Sequence, residues 1–365
     1  MTGPTLCGSP SATLRNQASR PPSSPPGKKA SLRGEGVRTT SAPAEPILDP
    51  DRPIVDAHHH LWSREDRPSY LLEDLRGDTD SGHRIEKTVF VECLSRYRRH
   101  GPEPMRCVGE TELVRSIAEG AGQGGHSRIA AIVGAADLRQ GEVVEEVLAA
   151  HIDAGGGLFR GLRHAANWDA ANLTLRSHHK APPHLYLNAD FRAGFARLAP
   201  LGLSFDALLY HSQIPDLTDL ARAFPETSIV LNHLGGPLGI GSYAGRRPQV
   251  FADWRRDIAS LAQLPNVFIK LGGMAMPFNG YGWHEAQLPP SSMDFVNAQG
   301  DFYRAAIDLF SPARCMFESN YPVEKASLPY ATIWNAFKII AAPFNEDEKD
   351  QLFRATATRF YRLGE

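Results

Sequence analysis

The sequence has little with which to staple or anchor itself. Only four cysteines, Cys7, Cys93, Cys107 and Cys315, occur in 365 residues. None forms a C-x-x-C pair, which argues against a disulfide scaffold and a cysteine zinc finger, and two sit in apolar runs as reduced, buried thiols of a cytoplasmic protein do. No apolar run reaches the ~18 residues of a membrane span. Charge of one sign is not in excess: 39 Lys+Arg face 41 Asp+Glu, so nothing draws the chain to nucleic acid or an acidic lipid surface. A Walker loop, a G-x-S-x-G elbow and an H-E-x-x-H motif are also missing. Residues 239–244 loosely match a dinucleotide fingerprint but lack its strand-to-helix setting. What is plentiful is hydrophobic residue, 42% of the chain, enough for a sizeable core.

Residues 1–50 differ from the rest. The run Ser19-Arg20-Pro21-Pro22-Ser23-Ser24-Pro25-Pro26-Gly27-Lys28-Lys29 offers almost no large apolar side chain to offset ordering entropy, so a disordered Pro/Ser/Arg-rich tail is expected. Its prolines argue against the amphipathic helix of a transit peptide, and it has no apolar core of a secretory signal. From residue 51 to 365, short β-rich runs alternate with helical patterns. Strands are expected at 54–58, 88–93, 129–135, 159–163, 203–210, 228–233, 266–271 and 314–319. Helices are expected at 109–119, 142–154, 189–198, 215–224, 251–261, 301–309, 327–340 and 346–361. Several strands are unbroken apolar runs, such as Ile129-Ala130-Ala131-Ile132-Val133, the pattern of parallel strands covered on both faces. Eight strand–helix units predict a (β/α)8 TIM barrel in one α/β domain. Two connections are long, 165–188 and 272–300. The second carries Phe278, Tyr281 and Trp283, as a packed lid that meets substrate would.

The strongest chemical signal is Asp56-Ala57-His58-His59-His60 at the end of the first strand. Residues i and i+2 share a strand face, so His58 and His60 can meet one ion while His59 points away. Imidazole suits zinc and similar metals. Other polar groups end other strands: Glu92, Arg163 and His164, His211, His233, and Glu318 with Asn320. In a barrel these converge on one mouth. Arg163 and His164 are placed to hold a substrate carboxylate or hydroxyls. Lys270, inside an apolar strand, needs a partner: substrate, or an internal pair with Glu318 or Glu92. Glu92 reads equally as a substrate or metal contact and as a salt bridge to a barrel arginine. Arg246, Arg247, His178 and His179 read as solvated loop charges.

The His-x-His, His211, the turn His233-Leu234-Gly235-Gly236-Pro237 and the run Phe317-Glu318-Ser319-Asn320-Tyr321-Pro322 resemble the amidohydrolase superfamily. More narrowly they are similar to the amidohydrolase-related barrels that include sugar lactonases and the pyrone-dicarboxylate lactonase. The resemblance spans residues 51–365, including the closing segment 356–363. It implies His58 and His60 as metal ligands, and His211 as a third ligand or a group that orients substrate. It implies that His233 stands behind the metal or polarises the carbonyl. The family usually has an aspartate at the end of the eighth strand; here Asn320 stands there, and an amide is no base at neutral pH. Glu318 shares its face and is the candidate base, a structural ion pair below the mouth being the other reading. The expected reaction is attack of water on a lactone, with a divalent metal such as Zn or Mn, or without one. A metal-dependent decarboxylase and a barrel that only binds a ligand are the alternatives. The partner is a small-molecule substrate, with a homo-oligomer open.

Overall fold

The computed structural model describes residues 45–64, 67–121, 125–171, 173 and 181–364. The eight barrel strands are β1 (Ile54–His59), β2 (Ile85–Val91), β3 (Arg128–Ala135), β4 (Phe159–Ala165), β5 (Ser204–Leu208), β6 (Ile229–Leu231), β7 (Val267–Leu271) and β8 (Cys315–Phe317). They pair in parallel, in chain order, as the expected (β/α)8 barrel. Around them lie α1 (Leu72–Thr79), α2 (Val108–Gly120), α3 (Val144–Gly155), α4 (Ala189–Phe195), α5 (Ile214–Ala223), α6 (Arg247–Ala262), α7 (Ser292–Phe310) and α8 (Tyr330–Ala341). A closing segment, Glu346–Asp350, Gln351–Ala355 and Thr356–Phe360, passes through a π-turn. Among the described residues no helix is long and apolar enough to cross a membrane.

Side chains sort by strand face. Outward, Ile54, Phe90, Ile132, Leu162, Phe205, Ile229, Ile269 and Phe317 join the helices in the main core. Inward, Val55, Ala57, Val89, Val91, Ala131, Val133, Val230 and Met316 pack with Ala357, Phe360, Tyr361 and Leu363. The closing segment therefore stoppers the floor of the lumen and leaves the opposite, carboxyl-terminal mouth for polar groups.

The seam between β8 and β1 is a single parallel bridge, His59 with Tyr321, flanked by Asn320 N–H to His58 O (2.9 Å) and His60 N–H to Tyr321 O (2.7 Å). Buried Asp56 fastens it. Its carboxylate accepts from Ser319 N (2.8 Å), Ser319 Oγ (2.5 Å) and Tyr330 Oη (2.9 Å). Burial pushes this carboxyl up to about 6 against those hydrogen bonds.

Four features depart from expectation. A hairpin, Trp62–Arg64 with Arg67–Tyr70, and α1 fill the β1–β2 connection; in α1 only Leu75 and Thr79 are buried, too few to mark a period. The connection expected over 272–300 ends at 291. There Ser291 Oγ accepts from Asp294 N (3.1 Å) and Asp294 Oδ2 accepts from Ser291 N (3.0 Å), a capping box that starts α7 nine residues earlier than its apolar pattern indicates. Arg247, read as a solvated charge, donates to Tyr281 Oη (2.7 Å) and Asn279 O (2.8 Å) and so braces that connection. Residues 45–50, within the stretch set apart by composition, lie against the barrel. Leu48 N donates to Asn335 Oδ1 (2.9 Å), and Lys338 Nζ donates to Leu48 O (2.8 Å) and Asp49 O (2.6 Å). Residues 1–44, His178 and His179 lie outside the described residues.

Candidate active site

Strict alternation from Val55 and Ala57 would aim His59 into the lumen. A register shift between Asp56 and His59 prevents it. The bulge turns His58 and His60 inward and sends His59 out to meet Phe90 edge-on at 5.9 Å. His58 Nε2 and His60 Nε2 then stand 3.2 Å apart, both rings buried. His60 Nδ1 is 2.8 Å from Val91 O, which only accepts, so Nδ1 carries the proton and Nε2 the lone pair. His58 Nδ1 lies 2.7 Å from Glu318 Oε2, and its Nε2 lies 3.4 Å from the Arg163 guanidinium, which only donates. Its Nδ1 also lies 3.4 Å from the Lys270 ammonium. Burial holds both imidazoles well below their ordinary range, so both are neutral. Two imidazole nitrogens facing each other at that distance fit ligands of one small cation; about 3.3 Å separates neighbouring ligands on a tetrahedral ion with ~2.0–2.1 Å bonds.

Glu318, at the mouth end of β8, is fully buried. Its Oε1 accepts from His233 Nδ1 (2.7 Å) and His233 N (3.0 Å). Its Oε2 lies close to His58 but has no aligned donor. Burial alone would raise this carboxyl; the His233 imidazole and the Lys270 ammonium outweigh that and hold it below the usual carboxylate range. His233 sits in a left-handed turn, with φ +55° followed by Leu234 at +54°. One ligand atom each from His58, His233 and Glu318 falls within 4.8 Å of the others, a group able to hold a metal ion. Gly272 and Gly273 make the approach feasible. A Cβ on Gly273 would lie 2.2 Å from His233 Nδ1, and one on Gly272 2.5 Å from Glu318 Cγ.

Below the cluster runs a buried network. Lys270 Nζ lies 2.8 Å from Asp206 Oδ2 and donates to Ala57 O (2.8 Å). Asp206 also accepts from Asn232 Nδ2 (3.0 Å) and Tyr361 Oη (2.9 Å to Oδ2). In this lumen three carboxylates, Glu92, Asp206 and Glu318, face two cations, Arg163 and Lys270. The excess negative charge beside two neutral imidazoles suits a divalent cation.

The expected residues separate into those the mouth gathers and those it does not. His58, His60, His233, Glu318, Arg163 and Glu92 come together. Arg163 Nε donates to Glu92 Oε1 (2.7 Å), the barrel salt bridge that was one reading of Glu92. His211, expected as a third ligand or a group that orients substrate, is not in that metal-holding group: its Nδ1 accepts from Leu238 N (3.3 Å), its ring meets Tyr243 edge-on, and burial lowers it to about 4. His164, expected on substrate, has the outward parity of Leu162. It accepts from Leu138 N (3.2 Å) and packs against Phe191 of α4. Lys270, read as holding substrate or pairing internally with Glu318 or Glu92, is wholly buried, its Nζ 2.8 Å from Asp206 Oδ2 and 3.9 Å from Glu318 Oε2. Trp283 stacks between Tyr281 (4.7 Å) and Phe295 of α7 (5.9 Å), tying its connection to the helix layer. Asn320 lies in a left-handed conformation, φ +54°, with its amide 3.4 Å from Glu324 Oε1. Asp206 was missed, though a charged residue inside Ser204-Phe205-Asp206-Ala207-Leu208 carries the same signal that singled out Lys270.

Comparison with known proteins follows the same lines. The Amidohydrolase family model matches residues 55–363. The uncharacterized protein y4mH of Sinorhizobium fredii is 32% identical over 86% of this chain and 99% of its own length. An L-fucono-1,5-lactonase of Burkholderia multivorans is 30% identical over 66% of this chain and 73% of its own. Among solved structures, an amidohydrolase from Burkholderia multivorans with bound zinc superposes with a TM-score of 0.67 at 24% identity, covering 85% of this chain and 99% of that one.

Proposed function

The chain belongs to the amidohydrolase family, and from that premise we propose that it opens lactones by hydrolysis at the cluster of His58, His60, His233 and Glu318. The observation that carries the reading is Glu318 Oε2, a buried carboxylate oxygen among imidazoles with no donor aligned on it. The similarity to an L-fucono-1,5-lactonase supports a lactone as the substrate class.

In this reading Glu318 Oε2 takes a proton from the attacking water. The new C–O bond forms as the acyl C–O bond of the ring breaks, and the ring oxygen leaves with a proton returned from Glu318. His233, bonded to Oε1, fixes the carboxylate plane. Arg163, braced by Glu92, lies 3.4 Å from His58 Nε2 and would donate to the substrate carbonyl there. Asn320 bonds Glu324 and supplies no base, so the proton transfer falls to Glu318. His58 Nε2 and His60 Nε2, with His233 or Glu318, would hold a zinc or manganese ion. What such an ion supplies when bound is a polarised carbonyl or a more acidic water. Cys107 and Cys315 are buried thiols, which supports a cytoplasmic setting.

The test is a panel of sugar lactones and carboxylated lactones, assayed with and without chelator, alongside elemental analysis of protein purified without added metal. Ring-opened hydroxy acid is the expected product. Release of carbon dioxide instead would make the enzyme a decarboxylase.

A further inference from the structure

Asn167 lies just beyond β4, and both atoms of its side-chain amide, Oδ1 and Nδ2, are buried with no hydrogen-bond partner. A carboxamide shut from water with nothing on either end is unfavourable unless something else takes its donor and acceptor. The backbone fixes where it points. Past the strand end, Ala166 N still donates to Leu208 O (2.8 Å). The Gln213 side chain then donates from Nε2 to Ala166 O (2.6 Å) and accepts at Oε1 from Trp168 N (3.0 Å). Those are the two bonds a residue of a neighbouring parallel strand makes around the residue opposite it. The ladder thus gains a side-chain rung, with Asn167 held extended across from it. Leu162 and Ala166 belong to the core outside the barrel, while Arg163 reaches Glu92 and His58 inside. Asn167 has the parity of Arg163 and faces the lumen, with only the methyl of Ala165 between them.

We propose that Asn167 is a specificity-determining residue that recognises a neighbouring pair of ring hydroxyls on the substrate. A neighbouring pair of hydroxyls satisfies both ends of the amide, one accepting from Nδ2 and the other donating to Oδ1. A carboxylate only accepts and would set its charge against the Oδ1 lone pairs, so this position disfavours carboxylated lactones. The assignment rests on the lactone-hydrolase reading but is tested apart from it.

The experiment compares wild type with Asn167→Ala in two ways. The first measures kcat/KM for L-fucono-1,5-lactone and for δ-valerolactone, which lacks ring hydroxyls. The ratio of the two should fall tenfold or more in the variant, as removing a hydroxyl's partner does; a smaller fall overturns the proposal. The second measures calorimetric binding of the corresponding 1,5-lactam, hydroxylated but not hydrolysed. Binding should weaken at least tenfold, and equal or undetectable binding by both proteins overturns the proposal. If neither lactone is opened, the lactone-hydrolase reading falls, and lactam binding alone decides the role of Asn167. Because Asn167 has no internal partner, the Tm of the free variant should not drop. Asn167→Ser, which keeps one donor and acceptor, should recover part of the ratio.

Discussion

Glu318 uses its two oxygens differently: one is tied to His233, the other is left open beside His58. Glu318→Gln keeps the shape and removes the base. It should lower kcat by 10²-fold or more, whereas His59→Ala should cost far less in the same hydrolysis assay. His59 is buried toward Phe90 with both ring nitrogens unpartnered, and burial lowers it to about 3. Lys270 makes a different prediction. Lys270→Met leaves Asp206 buried and uncompensated, a loss of about 3–5 kcal/mol. The double change Lys270→Met with Asp206→Leu removes the whole pair and should recover much of that. Urea unfolding of the three proteins measures both effects. From the sequence, His58 and His60 could be read because a two-residue period is local. The partner of Lys270 could not, because Asp206 comes from two strands away and Tyr361 from the chain's closing segment.

At the level of elements, turns decide the site. The bulge in β1 re-aims the histidines, and the Gly272–Gly273 turn after β7 lets Glu318 and His233 close up. Gly273→Ala places a methyl at φ +66° against His233. It should lower stability by ~1–3 kcal/mol and reduce kcat, read by thermal unfolding and steady-state assay. The barrel strands were legible because unbroken apolar runs such as Ile129–Val133 have few other readings. The bulge was not, since nothing in Asp56-Ala57-His58-His59 marks where alternation breaks. The expected faces for His58 and His60 came out right by way of an irregularity that the simple parity argument omits. His164 shows the same parity rule excluding a residue: its neighbour Arg163 took the lumen side.

At the scale of the whole molecule, burial sets the pH response. Glu110 and Glu324 are each pushed up to about 8, chiefly by burial. A carboxyl raised in the folded state keeps its proton while the unfolded chain gives it up, so stability drains away as pH rises from about 4.5 to 8. His83, His151 and His211, each lowered to about 4 by burial, act oppositely and add stability as pH rises from about 4 to 6.5. The two trends place the optimum near pH 6.5, with a decline of order 2–4 kcal/mol toward pH 8. Thermal scans across that range should show it, and Glu110→Gln with Glu324→Gln should flatten it. The union of β8 with β1 sets a second global property. Seven of the strand junctions are ladders of several paired residues, three of them with register shifts, while this one is a single rung reinforced by a carboxylate. Such a cylinder has a zip line. Warming parts its lips there first, with His58 on one lip and Glu318 on the other, so turnover should fail a few degrees before the bulk of the scaffold melts.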